Sequence, residues 1–206
     1  MYRFQTMLCQ SRDGVFSAWF KLKHVISEVD LLKIFVLINK YYPSYNFLSD
    51  DFADEHKKWE DYILSNFEYR PNNINNINLG VSVFVQKSDN RVIEIKSEDD
   101  GLELIYGTDD GIPILGIQFY HYVYFDENYV YLDDTDNILC KNKMVVVNQS
   151  IAAKKNRNIL TQFLKEMEIL IGADIYHFEG GKRFSDNHVY KYGIKEDAVL
   201  NYGQEA

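Results

Sequence analysis

Between Leu79 and Val147 the chain turns back on itself so often that its choice of strand pairing is narrow. Val81, Val83 and Val85 alternate with Ser82, Phe84 and Gln86, and Ser88-Asp89-Asn90 separates them from Val92, Ile93 and Ile95. Asp99-Asp100-Gly101 leads into Leu102–Tyr106, Asp109-Asp110-Gly111 into the segment that follows, and Met144–Val147 closes the series. Alternation of period two between clusters of turn residues marks half-buried strands. Turns this short join only antiparallel neighbours, since a parallel pair needs a crossover of about a dozen residues or more. The region reads as an antiparallel meander.

The flanks are partly helical. Ser27 is placed to cap a helix, with Asp30 approximating a capping box, and Val29, Leu32, Phe35, Val36 and Asn39 follow helical spacing up to Pro43. A second helix is expected from Ser49 or Asp50, with Phe52, His56, Trp59, Ile63 and Phe67 as its stripe, ending before Pro71. The NNINNIN run after it commits to neither helix nor strand and reads as a loop. Ser150 opens the longest helix, with Ile151, Ile159, Phe163, Met167 and Leu170 as its apolar side, Lys154, Lys155 and Arg157 on its solvated side and Gly172 as C-cap. Tyr2–Cys9 and Val15–Leu22 suggest an opening hairpin, and Ile175–Phe178 with Val189–Tyr192 a closing strand pair around Gly180-Gly181. The expected architecture is a single α+β domain over residues 1–206. It is helix-rich to about residue 70, has its sheet over 79–147 and a long helix over 150–171, and ends in a strand pair and tail. Helices before and after the sheet pack on one of its faces.

Composition narrows the function classes. A net charge of −9 and a pI near 5.0 argue against an electrostatically driven nucleic-acid binder. Cys9 and Cys140 are too few and too distant for a disulfide framework or a cysteine zinc site. The N-terminus lacks the apolar region of a signal peptide and no run approaches a membrane span, so a cytoplasmic protein with no membrane association is expected.

The chemically most unusual stretch is GIPILGIQFYHYVYFDENYVYLDDTDN, Gly111 to Asn137. Leu115, Ile117, Phe119, Val123 and Phe125 fall on one face of an extended strand, and Gln118, Tyr120, Tyr122 and Tyr124 on the other. A tight turn at Glu127 and Asn128 would set Phe125 opposite Val130, Tyr124 opposite Tyr131 and Val123 opposite Leu132, so both strands agree on the core side. The outcome is a tyrosine patch of Tyr120, Tyr122, Tyr124, Tyr129 and Tyr131. No lysine or arginine lies between Lys96 and Lys141, an interval that includes Asp109, Asp110, Asp126, Glu127, Asp133, Asp134 and Asp136. One-sided charge of this kind attracts a basic partner. The structural alternative is that acidic turns keep hairpins soluble while the tyrosines cover a second layer.

Catalytic constellations are weaker. His177, Glu179, Asp186 and His188 have the residue types of a hydrolytic metal site but need the chain to fold back across the glycine loop, and a surface role is the simpler reading. Glu94-Ile95-Lys96 has the E-x-K form of metal-dependent nucleases without a carboxylate on a neighbouring strand. Asp133–Asn137 lacks the Gly and terminal Glu of an EF-hand, and Gly180-Gly181-Lys182 lacks the rest of a P-loop. No metal, cofactor or catalytic residue is assigned. The residues point to a non-catalytic protein-binding module, most specifically an immunity-type inhibitor that neutralises a basic toxin or nuclease. The alternatives are a metal-dependent hydrolase or nuclease, and a subunit that buries its tyrosines in a homodimer.

Overall fold

The computed structural model describes residues 16–47, 74–86, 89–96, 101–119, 125, 128–133, 143–148, 150–179 and 189–194. Strands β1 (Phe16–Lys21), β2 (Ser44–Phe47), β3 (Ile74–Gln86), β4 (Val92–Lys96), β5 (Leu102–Asp109), β6 (Ile112–Phe119) and β9 (Ile175–Glu179) form one sheet. Its order is β2-β3-β5-β6-β1-β9, with β4 also on β3, and every pairing is antiparallel. Helix α1 (Glu28–Tyr41) precedes the meander and α2 (Ser150–Ile171) follows it. The α+β class read from the sequence is the class observed.

One face of the sheet makes the core. Register places Phe16, Ala18 and Phe20 opposite Phe119, Ile117 and Leu115, which in turn lie opposite Leu102, Leu104 and Tyr106. Leu79 and Ile77 continue the same row on β3. These residues cluster with Leu31, Ile34 and Ile38 of α1 and Leu160, Phe163 and Met167 of α2, nearly all of them buried. Removing such side chains from water stabilises the fold by about 1.5–3 kcal/mol each. Tyr42, just past α1, is buried between the rings of Phe119 and Phe163 at 5.1 and 5.4 Å.

The sheet's second face has a different chemistry. Ser17, Gln118 and Glu103 stand in register across β1, β6 and β5. Ser17 and Glu103 are buried, and the Asn76 amide donates to Glu103 at 2.8 Å. The Trp19 indole lies against Gly116, where a Cβ would come within 2.5 Å of the ring. Gly116 is therefore the residue that lets a bulky ring cross its neighbouring strand.

Local signals behaved as chemistry requires. Ser27 Oγ accepts the Asp30 N–H at 3.2 Å while the Asp30 carboxylate accepts the Ser27 N–H at 3.2 Å, a complete capping box. Helix α1 stops where Pro43 forbids continuation, and α2 stops at Gly172, whose φ is +61°. The two-residue loop Asp110-Gly111 has φ of +48° and +78°, the signs a type I′ hairpin turn demands.

Several expectations are corrected. From Ile74 on the NNINNIN run is not a loop, because β3 begins there and pairs with β5 from Ile74–Gly107 to Leu79–Leu102; Asn72 and Asn73 lie outside the described residues. Its asparagines and isoleucines alternate only in part, which hid the strand. The second strand of the expected opening hairpin, Val15–Leu22, is present as β1, with Ser17–Phe20 paired on both edges, by β6 and β9. β9 joins the main sheet, while β10 (Val189–Tyr190) pairs with β11 (Gly193–Ile194) instead. β8 (Lys143–Asn148) pairs with β7 (Asn128–Asp133) in a separate two-stranded sheet, outside the meander it was expected to close. The helix expected between Ser49 and Pro71, and Tyr2–Cys9 and Cys140, lie outside the described residues.

Candidate interaction surface

Two regions of the surface have the chemistry of contact sites: an acidic end of the sheet, anticipated from the sequence, and a groove between the helices, which was not. At the sheet end, Asp109, the last residue of β5, and Asp110, in the β5–β6 turn, are exposed. Tyr176 of β9 stands nearby, half exposed. Burial first, and then the charge of Asp109, raise its phenol above the ordinary value. Lys21 Nζ lies 4.8 Å from the centre of the Tyr176 ring, so one cation borders this acidic end.

The rest of the anticipated patch is placed only in part. Tyr129, Tyr131 and Asp133 lie on β7, opposite Val147, Val145 and Lys143 of β8. The first two therefore neighbour valines across the ladder, and Asp133 stands opposite a basic residue. Phe125, expected as a strand residue facing Val130, belongs to a 3-10 turn, its ring packed edge-on against Phe16 at 5.0 Å and Phe119 at 5.7 Å. Its inward position follows the apolar alternation even though the strand does not reach it. Tyr120, Tyr122, Tyr124, Asp126, Glu127, Asp134 and Asp136 lie outside the described residues. Of the metal-site candidates, His177 is exposed on β9 opposite Trp19 and Glu179 lies opposite Ser17. Asp186 and His188 are outside the described residues. Glu94 is exposed on β4, two residues from Lys96. Among the described residues no three His, Cys, Asp or Glu side chains come together as metal ligands. No described helix is long and apolar enough to cross a membrane.

The groove arises because α1 is apolar nearly all round. Its inward side is Leu31, Ile34, Phe35, Leu37 and Ile38, not the row Val29, Leu32, Phe35, Val36 and Asn39 that helical spacing first suggests. Only Phe35 is common to both. Val36 is 68% exposed, and Ile169 on the neighbouring turn of α2 is 81% exposed. Between the helices these residues and Val29, Leu32 and Leu170 line an open apolar groove of about 750 Å³. A second hollow of about 120 Å³ adjoins it through Lys33 and Leu170. The signal was present in the sequence as an excess of aliphatic residues over what one buried stripe needs.

Polar ties hold the two helices and fix the groove's walls. Lys40 Nζ donates to Glu166 at 2.6 Å and the Tyr41 hydroxyl donates to the same carboxylate at 2.6 Å. Lys40, then Tyr41, hold the Glu166 carboxyl below its ordinary range. Two residues on, Glu168 accepts the Ile175 N–H at 2.7 Å, the Tyr192 hydroxyl at 2.7 Å and Lys191 at 2.8 Å. Burial pushes its carboxyl up, but Lys191, the Ile175 amide and Tyr192 together outweigh burial and hold it low.

At the other end of α2, Asn156 and Arg157 are each 2% exposed. Arg157 was expected in solvent beside Lys154 and Lys155, which are indeed exposed. Instead its Nε donates to the Phe125 carbonyl at 2.8 Å. Asn156 donates to the Phe84 carbonyl at 2.7 Å and accepts the Phe84 N–H at 3.0 Å, so its amide stands in for a strand residue on β3. Two residues earlier the Ser82 N–H donates to Pro43 O along the same edge. Compared with protein-family models, with curated proteins and with solved structures, the chain matches none.

Proposed function

We propose that the chain is a non-catalytic protein-binding module that holds a basic partner, most specifically an immunity-type inhibitor of a basic toxin or nuclease. The observation that carries this reading is the interval between Lys96 and Lys141, without a lysine or arginine, whose Asp109 at the end of β5 and Asp110 in the tight turn after it are exposed. A fixed turn presents charge at little entropic cost, and complementary charge speeds encounter while rejecting partners of the wrong sign. The tyrosines of the same interval supply the contact area such an interface uses.

The test is affinity capture from the native source with wild-type protein, with Asp109→Lys/Asp110→Lys, and with Tyr120, Tyr122 and Tyr124 replaced by Ala. A basic protein retained by wild type and lost by both variants is the expected result, with association slowed by added salt. Equal retention by all three proteins, or capture only of acidic proteins, sinks the reading.

A further inference from the structure

We propose that the groove between α1 and α2 binds a single-chain anionic amphiphile, a fatty carboxylate, with its tail along the groove and its head in the small hollow at the Lys33 end. Charge selects this occupant. Residues 16–47 carry Lys21, Lys23, Lys33 and Lys40 against Glu28 and Asp30, a surplus of two cations, so the rest of a chain of net charge −9 carries −11. The groove is lined by Lys33 and Lys40 against Glu166 alone, and the hollow adds Lys23 and His24 against Asp30. In a protein whose overall charge repels anions, this rim offers an anion more cations than carboxylates. A second copy of the chain would meet it with the same surplus of cations, and a basic partner is repelled by it.

The two ends differ in what their lysines already hold, and this sets the direction of the ligand. Lys40 donates to both oxygens of Glu166, at 2.8 and 2.6 Å, which closes the far end. Lys33 Nζ stands 3.8 Å from Asp30, beyond hydrogen-bond length, and the Asp30 carboxylate already accepts the Ser27 N–H and hydroxyl. The Lys33 ammonium is therefore the better placed to take a new carboxylate. It also joins the two spaces, since the hollow of about 120 Å³ shares Lys33 and Leu170 with the groove of about 750 Å³. From Val29 to Asn39 the groove follows α1 for ten residues, about 15 Å at the helical rise. A long apolar trough that ends in a small basic hollow matches a molecule with one tail and one charged head, and its volume lies within the range of small-molecule sites. Covering Val36 and Ile169, at present 68% and 81% exposed, supplies the apolar gain.

Isothermal titration calorimetry of the full chain with dodecanoate, below its micelle concentration, tests this. Acetate serves as the head alone, and dodecyltrimethylammonium as the same tail with the opposite charge. One saturable site for dodecanoate is expected, about tenfold or more tighter than any for the ammonium, with no binding of acetate. A chain of net charge −9 would otherwise favour the cation. Lys23→Ala/Lys33→Ala is expected to abolish the preference, and Val36→Glu to weaken dodecanoate by about tenfold or more, because a second carboxylate would be buried beside the tail. All three sites are exposed, so circular dichroism should match wild type, and Val36→Ser serves if Val36→Glu unfolds. No saturable site, equal or tighter binding of the ammonium, or a preference that survives in the lysine variant overturns the proposal. Binding to vesicles of anionic phospholipid by a protein that takes up no free dodecanoate overturns it equally. Capture of a basic partner through Asp109 and Asp110 should be untouched by these variants, so the two experiments fail independently.

Discussion

The two ends of α2 invert the usual rule about what belongs inside. Near its start Asn156 and Arg157 are buried, while near its end Ile169 is almost fully exposed. The polar residues are inside because each meets a backbone group that would otherwise be stranded: Phe84 N–H and C=O for the amide, Phe125 C=O for the guanidinium. The aliphatic residue is outside because α1 has already used its inward side on the core and offers only a second apolar row to face it. Burial along this helix follows partners, not polarity, and an orphaned backbone group costs more than a well-bonded side-chain amide.

The largest effect that could break this contrast is at the buried polar end. Asn156→Leu is expected to lower unfolding free energy by about 3 kcal/mol in urea titration, since both Phe84 groups lose their partner at once. A loss no greater than that of a surface substitution would mean that the amide's two bonds carry no weight.

A middle-sized effect comes from Glu168, between the two ends. Glu168→Gln is expected to cost about 2 kcal/mol by weakening charge-assisted bonds to Lys191, Tyr192 and Ile175. Its carboxyl is held below the ordinary value of 4.5, so its stabilisation is fully present above that pH and disappears as pH falls through the lower folded-state value. A stability-versus-pH curve should therefore be flatter on its acid limb in the variant. Identical limbs would remove Glu168 from the account of acid unfolding.

The smallest effect lies at the exposed apolar end. In dilute solution, Val36→Glu should change unfolding free energy by no more than about 0.5 kcal/mol. A large loss would show that the outward row already packs against the chain's own residues and would sharpen the comparison against an open groove.

Much of the fold was legible because its signals were local: the Ser27 box, the Asp110-Gly111 turn and the apolar row of Leu115, Ile117 and Phe119 in β6 all act within a few residues. That row was placed on the core side correctly for the same reason. Less legible was anything decided by what lies opposite. The inward side of α2 runs through Ala152, Ala153, Asn156 and Arg157, small or polar residues, so following only large aliphatic residues misplaced its first turns. For α1 the difficulty was two apolar rows of similar strength, of which the sheet selected one. Ile74–Leu79 was hidden because asparagine is a poor strand former in isolation and acceptable only once β5 supplies the ladder. Of the candidate surface, Asp109 and Asp110 were found by charge alone, whereas the groove needed knowledge of which α1 row was already spent.

β1 has a consequence for how the molecule comes into being. It is the first described strand, yet it lies inside the sheet, bonded on one edge to a strand made about 100 residues later and on the other to one made about 160 residues later. During synthesis, Phe16–Lys21 therefore emerges long before either partner and must remain unpaired while most of the protein is still to be made. It is β9, the last strand of this sheet to be made, that covers the second edge of β1. Premature termination before Ile175 would leave an apolar strand with one bare edge, a template for pairing with another molecule instead of with itself.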